Sequence, residues 1–262
     1  MTTKHTALIT GASGGIGYEL ANLFAKNGHD LVLVARNADK LKEIAEDLQV
    51  KYRNTVHIVP MNLSNADTPN ELYYYLERNS IQVAYLVNNA GFGTHGKFSE
   101  IELQEQLDLV QLNITTLTHL SRLFIPGMLK RKYGGILNIA STAAFQPGPL
   151  MATYYASKSY VLFLSEALAS EMKGTGVWVT ALCPGPTATG FQQRAGIEKT
   201  TLVKKTGMMM DVEKVAKIGY HGFMKKKSLI IPGVVNRVFA QGIRFSPRKL
   251  TREIVKFLHD GE

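Results

Sequence analysis

Cysteine is all but absent from this sequence. Cys183 is the only one in 262 residues, which excludes an internal disulfide and predicts a reducing, intracellular setting. No apolar run reaches the ~18 residues that a membrane span requires, so none is expected. The opening MTTKHTALITGASGG enters an apolar strand almost at once, leaving no room for a targeting leader, and the expected location is cytoplasmic. The seven histidines show no metal-ligand spacing, and with one cysteine beside them no metal site is expected. Linkers, repeats and low-complexity tracts are missing as well. Residues 1–262 therefore read as one large domain.

Net charge is missing from most of the chain and concentrated at its end. Residues 1–190 hold 15 Lys+Arg and 15 Asp+Glu, whereas residues 191–262 hold 15 and 6, so the whole +9 falls in the last stretch. A basic tail of this kind fits a solvated helical surface, an anionic membrane surface or an acidic substrate. No zinc finger, basic zipper or aromatic RNA-binding pattern accompanies it, so a nucleic-acid partner is not expected.

Short apolar runs alternate with helical patterns. HTALIT, DLVLVAR, TVHIVPMN, VAYLVNNA, GGILNIAS, VWVTALCPG and a late SLIIPG read as strands, with segments such as IGYELANLFAKNG between them. The strands are continuously hydrophobic rather than alternating, which implies burial on both faces and a parallel sheet between helix layers. The expected architecture is a single doubly wound α/β domain with right-handed crossovers. From about residue 190 the chain reads as an irregular extension.

TGASGGIG, Thr10 to Gly17, lies between the first strand and the first helix. A glycine turn there lets the backbone approach a phosphate and aims helix amides at it. The spacing Gly11, Gly15, Gly17 is T-G-x-x-x-G-x-G. With NNAG at residues 88–91 and PGPTAT at residues 184–189, in this order, the chain resembles the short-chain dehydrogenase/reductase family over residues 6 to about 190. The resemblance implies a Rossmann-like sheet of about seven strands. It also implies cofactor contacts from Gly11, Ser13, Gly15, Ile16, Gly17, Asn62, Leu63, Asn89, Ala90, Gly91, Pro184, Gly185, Thr187 and Thr189. Asn62 stands where the family commonly has Asp, and Gly14 where NADP-preferring members often carry a basic residue. At the end of the second strand come Ala35, Arg36 and Asn37, with no carboxylate until Asp39. A planar guanidinium there suits a 2′-phosphate, so the expected cofactor is NADP(H).

The pattern YYASK, residues 154–158, raises a question of register. Composition alone yields roughly 0.8 Tyr-x-x-x-Lys pairs by chance, so the pair needs support. Tyr154 and Lys158 share a helix face, whereas Tyr155 points about 100° away. Ser141 precedes Tyr154 by thirteen residues, which is the family spacing. Tyr154 is therefore the expected acid/base, with its pKa lowered by the Lys158 ammonium. Ser141 is expected on the substrate oxygen. By resemblance, Lys158 also holds the nicotinamide ribose, and Asn113 retains a water for proton relay.

Phe92, Phe145, Gln146, Tyr155, Phe191 and Met208–Met210 are expected to line a substrate wall. Their character points to a lipid-like, steroid-like or other hydrophobic ketone or aldehyde. Residues 190–225 read as a lid whose cations would suit a 3-oxoacyl thioester. Residues 226–262 form a basic extension of interfacial-helix composition, for which docking onto the domain is the simpler reading and peripheral membrane contact the alternative. The expected function is an NADP(H)-dependent oxidoreductase acting on CH–OH groups. The alternative is an NADP(H)-sensing regulator or a surface-binding protein using the basic tail. By analogy with relatives, a homodimer or homotetramer is expected.

Overall fold

The computed structural model describes residues 4–204 and 209–260. Seven strands, β1 Thr6–Thr10, β2 Asp30–Ala35, β3 Val56–Pro60, β4 Val83–Asn88, β5 Gly134–Ile139, β6 Val177–Leu182 and β7 Leu229–Ile230, form one parallel sheet. Their order is β3-β2-β1-β4-β5-β6-β7, so the winding direction reverses between β1 and β4. Alternate residues of each strand enter opposite cores, as the pleat requires. Ala7, Ile9, Leu31 and Leu33 face one helix layer, and Leu8, Val32, Val34 and Leu86 face the other.

The first layer contains α1 Gly15–Lys26, α2 Ala38–Tyr52 and, later in the chain, a helix at Val212–Met224. The second contains α3 Thr68–Arg78, α5 Leu117–Arg131 and α6 Ala152–Glu171. The short helix α4, Leu103–Val110, runs into α5 through a π-type turn at Gln111–Thr116. A stretch of that kind widens the helix locally and is common at functional sites. Here it carries Asn113.

The stretch after residue 190 is not irregular. It forms α7 Phe191–Ala195, α8 Thr201–Lys204, α9 Val212–Met224, β7, α10 Val234–Gly242 and α11 Arg248–His259. Helix α9 belongs to the sheet domain itself. Val215, Ala216, Gly219, Tyr220 and Phe223 recur at helical spacing and are buried, and Asp211 caps the first turn by accepting from Lys214 N–H. Residues 212–224 of the expected lid segment therefore pack in the first helix layer. Of the expected Met208–Met210 wall, Met208 lies outside the described residues.

An aromatic cluster closes the amino-terminal edge of the sheet. The Tyr85 ring lies 5.1 Å from His29 and 5.8 Å from Phe223, and Trp178 lies 5.5 Å from Phe223. Burial, with His5 nearby, pushes the His29 pKa below its usual value, and among the described residues its Nδ1 has no partner. The folded protein thus favours neutral His29, while the unfolded chain takes up a proton near pH 6.5. Stability is undiminished above that value and declines as pH falls past it, at most by about 1.4 kcal/mol per pH unit for one proton. His29→Phe keeps the ring and removes the titration. Thermal melts of the variant should show a shallower loss of Tm between neutral and mildly acidic pH than the parent protein shows.

Candidate active site

The site is assembled where the sheet reverses direction. At the carboxyl end of β1, Thr10 Oγ1 donates to Val87 O (3.2 Å) and accepts from the N–H groups of Asn89 and Ala90, both at 3.0 Å. Asn89 Nδ2 donates back to Thr10 O (2.9 Å) and Gly11 O (3.1 Å). These bonds clamp the glycine turn to the loop after β4. The close approach explains two of the glycines. A Cβ on Gly17 would lie 2.3 Å from Gly11 O, and Gly11 itself has φ +65°. No side chain caps the amino terminus of α1, and its first turn carries no carboxylate. The amides of that turn are left for an anionic group.

One cleft of about 1040 Å³ runs from this turn across the carboxyl ends of the strands. Gly11, Ser13, Gly15, Ile16, Arg36, Asn62, Leu63, Asn89, Ala90, Gly91, Pro184, Gly185, Thr187 and Thr189 line it. Arg36 is exposed at the end of β2 and makes no ion pair among the described residues. Asn37 does not line the cleft. Its Oδ1 accepts from Lys40 N–H (2.9 Å) and caps α2. Gly17 is likewise absent from the wall and serves the close packing under the turn. Asn62 Oδ1 accepts from Ser64 N–H (3.2 Å), an intraloop bond.

Ser141, Tyr154 and Lys158 share the other half of the cleft. Tyr154 and Lys158 lie one turn apart on α6, both buried. Lys158 Nζ donates to Ile139 O (2.8 Å) and lies 5.7 Å from the centre of the Tyr154 ring. Burial pushes the Tyr154 phenol up to about 12, against an opposing hydrogen bond from Ser141. Burial also lowers Lys158 to about 8. The expected depression of the tyrosine by Lys158 is thus not found, because desolvation of the phenolate outweighs the opposing Ser141 hydrogen bond.

Asn113 sits behind the wall, its side chain fully engaged. Nδ2 donates to Phe92 O (3.0 Å) and Ser157 Oγ (3.1 Å), and Oδ1 accepts from Phe92 N–H (3.2 Å). It fixes the loop after β4 against α6. Asn88 works deeper still, donating to Ser121 Oγ and Asn138 Oδ1 in the core.

Phe92, Gln146, Tyr155 and Phe191 line the cleft, the Phe191 ring 5.2 Å from that of Tyr154. Phe145 does not. The short 3-10 turn at Thr142–Phe145, capped by Ser141, carries it away from the cleft to pack with Val161 and Leu162 of α6. Sequence reasoning missed the contribution of the last helices. Val238 and Phe239 from α10, and Ile254, Val255, Leu258 and His259 from α11, close the far wall. His259 is 1% exposed, and its Nε2 lies 2.6 Å from Tyr155 Oη. Its backbone O in turn is 2.9 Å from His95 Nε2. The only signal in the sequence was the phase of α11, where Thr251, Val255 and His259 recur every four residues.

A cleft at the reversal point of a doubly wound sheet, with a glycine turn under an uncapped helix, defines a dinucleotide-binding α/β protein. A family model described as short chain dehydrogenase matches residues 5–200. The chain belongs to the short-chain dehydrogenase family. It is 34% identical over 222 residues to a very-long-chain 3-oxoacyl-CoA reductase of Pyrenophora tritici-repentis, covering 82% of this chain and 64% of that protein. The chain spans 52% and 64% of the length of the two fungal reductases it matches. A solved short-chain dehydrogenase from Sphingobium yanoikuyae in complex with NADPH is 32% identical, with TM-score 0.83 and 94% of each chain covered. The bulky-bulky ketone specific alcohol dehydrogenase from Comamonas testosteroni is 31% identical, with TM-score 0.79 and 95% and 96% covered.

The crowding at Gly17 has a direct test. Gly17→Ala must displace backbone rather than a flexible side chain, an overpacking cost of about 1–3 kcal/mol. The variant should melt at lower temperature and lose dinucleotide affinity in a calorimetric titration.

Proposed function

We propose that the protein is an NADP(H)-dependent oxidoreductase that interconverts a bulky hydrophobic ketone or aldehyde and its alcohol. One observation carries this reading: a single cleft joins Arg36 and the open end of α1 to Ser141, Tyr154 and Lys158. The residues present fit the cofactor. The α1 amides suit its diphosphate, Arg36 with Ser13 suits the 2′-phosphate, and Lys158 suits the nicotinamide ribose. NADPH, when bound, supplies the hydride.

The chain's own groups hold the carbonyl and supply the proton. Ser141 donates a hydrogen bond to the substrate oxygen and fixes its position. Tyr154, un-ionised at neutral pH, gives its phenolic proton to that oxygen as negative charge develops there. Lys158, cationic at neutral pH, stabilises the phenolate left behind, and Asn113 keeps Phe92 and Ser157 in place around it. In the oxidative direction the phenolate takes the proton from the alcohol.

The apolar walls from Phe92, Met151, Phe191, Ile197 and Val203 support a hydrophobic substrate, as do the ketone and 3-oxoacyl names of the relatives. A cofactor-sensing role without turnover would leave the assembled Ser141–Tyr154–Lys158 group without a task. Exposed Leu103, Leu107 and Phe163 on α4 and α6 support subunit pairing through that face.

Tyr154→Phe should lower turnover by at least about 10²-fold, the usual scale for a positioned acid/base. NADPH affinity, read by fluorescence titration, should persist. Comparable loss in Tyr155→Phe with normal activity in Tyr154→Phe would refute the assignment. Arg36→Ala should raise KM for NADPH by roughly tenfold or more and KM for NADH far less; an equal rise would sink the cofactor reading. Because Lys158 is cationic below about 8, kcat/KM for reduction should hold through neutral pH and fall as pH rises past that value.

A further inference from the structure

We propose that the outer face of α10 and α11 docks the protein on an anionic lipid surface. Among the described residues, eight of the fifteen exposed large hydrophobic side chains fall within residues 234–257. On α10, Val234, Val235, Val238 and Phe239 share one face and are 58–75% exposed, while Asn236 and Ala240 on the opposite face are buried. An α-helix with its apolar side outward is the reverse of ordinary amphipathic packing. In the turn that follows, Phe245 is 89% exposed.

Helix α11 carries three stripes. Thr251, Val255 and His259 face the protein and are buried. Leu250, Ile254 and Phe257, at i, i+4 and i+7, form an outward ridge that is at least half exposed. Lys249, Arg252 and Lys256 form the third stripe, with Glu253 between it and the ridge. Across residues 234–260 six cations stand against two carboxylates.

Apolar side chains beside a basic flank are the composition of a helix that lies in a membrane interface, its apolar side in the acyl boundary and its cations at the headgroups. No helix among the described residues is long and apolar enough to cross a membrane, so this is docking and not spanning. Charge decides between a lipid surface and a second copy of the chain. A self-complementary pair would bring the basic flanks of two copies together, whereas anionic headgroups neutralise them.

The patch also reaches the cleft. Val238, Phe239 and Ile254 line the cleft and are each at least half exposed, so its wall continues into the docking face. A lipid-like substrate would then enter from the bilayer without crossing water. That route rests on the redox reading above; the docking itself does not.

The experiment is flotation of the full chain with vesicles of phosphatidylcholine, with and without phosphatidylserine, at low and high salt. Turnover of a small water-soluble ketone and light scattering are followed in parallel. Binding should require phosphatidylserine and weaken with salt. Val235→Glu with Phe257→Glu, neither on the cleft wall, should weaken it by about tenfold or more. The variant's Tm and small-ketone turnover should be unchanged. Absent or salt-independent binding, or equal binding by the variant, overturns the proposal. So does a concentration-dependent dimer that the variant abolishes without vesicle binding. If vesicle binding holds while no carbonyl compound is turned over, the redox reading fails and the docking stands.

Discussion

The clamp between β1 and β4 is the constraint on which the rest of the molecule depends. At that point the sheet changes winding direction, the flanking helices part, and a crevice opens above the strand ends. Thr10 and Asn89 hold the two strand ends together with bonds of 2.9–3.2 Å, and the absence of a side chain at Gly17 lets α1 descend onto the turn. The amino terminus of α1 is thereby aimed into the crevice. The same loop continues through Gly91 to Phe92, whose backbone Asn113 holds against α6. The amino terminus of α1 and the tyrosine–lysine pair are thus set relative to one another by one short stretch of chain.

Burial sets the chemistry at the other end. Tyr154 and Lys158 are removed from water together, and desolvation drives both toward their neutral forms. The lysine retains its cation at neutral pH with help from the Ile139 carbonyl, and the tyrosine retains its proton. A phenol in this state is ready to donate. The C-terminal helices line the far side of the same cleft. Helix α11 reaches back through His259 to Tyr155, the neighbour of Tyr154, so the helix that presents an apolar ridge outward also closes the far wall of the cleft.

Much of this was legible in the sequence because it depends on local order. Continuous apolar runs required a doubly wound parallel sheet, and β7 was visible as SLIIPG although it is only two residues long. The pairing of Tyr154 with Lys158 follows from helix geometry, and the register of Ser141 from the family resemblance. Residues whose roles depend on neighbours distant in sequence were less legible. Asn37 proved to be a helix cap and Phe145 a packing residue, since a loop's last turn decides which way its side chains point. Helix α9 was less legible because its lysines interrupt an otherwise apolar periodicity.

The sequence by itself determined the layer architecture, the glycine turn, the tyrosine–lysine pair and the basic character of the tail. Each is a property of residue type and spacing over a few turns. Only the tertiary structure decided the protonation tendency of the pair, which follows from burial. It alone also placed His259 against Tyr155, across 104 residues of chain, and left one side of α10 and α11 apolar and uncovered. Long-range packing determines which of two similar faces is enclosed, and composition carries no record of that choice.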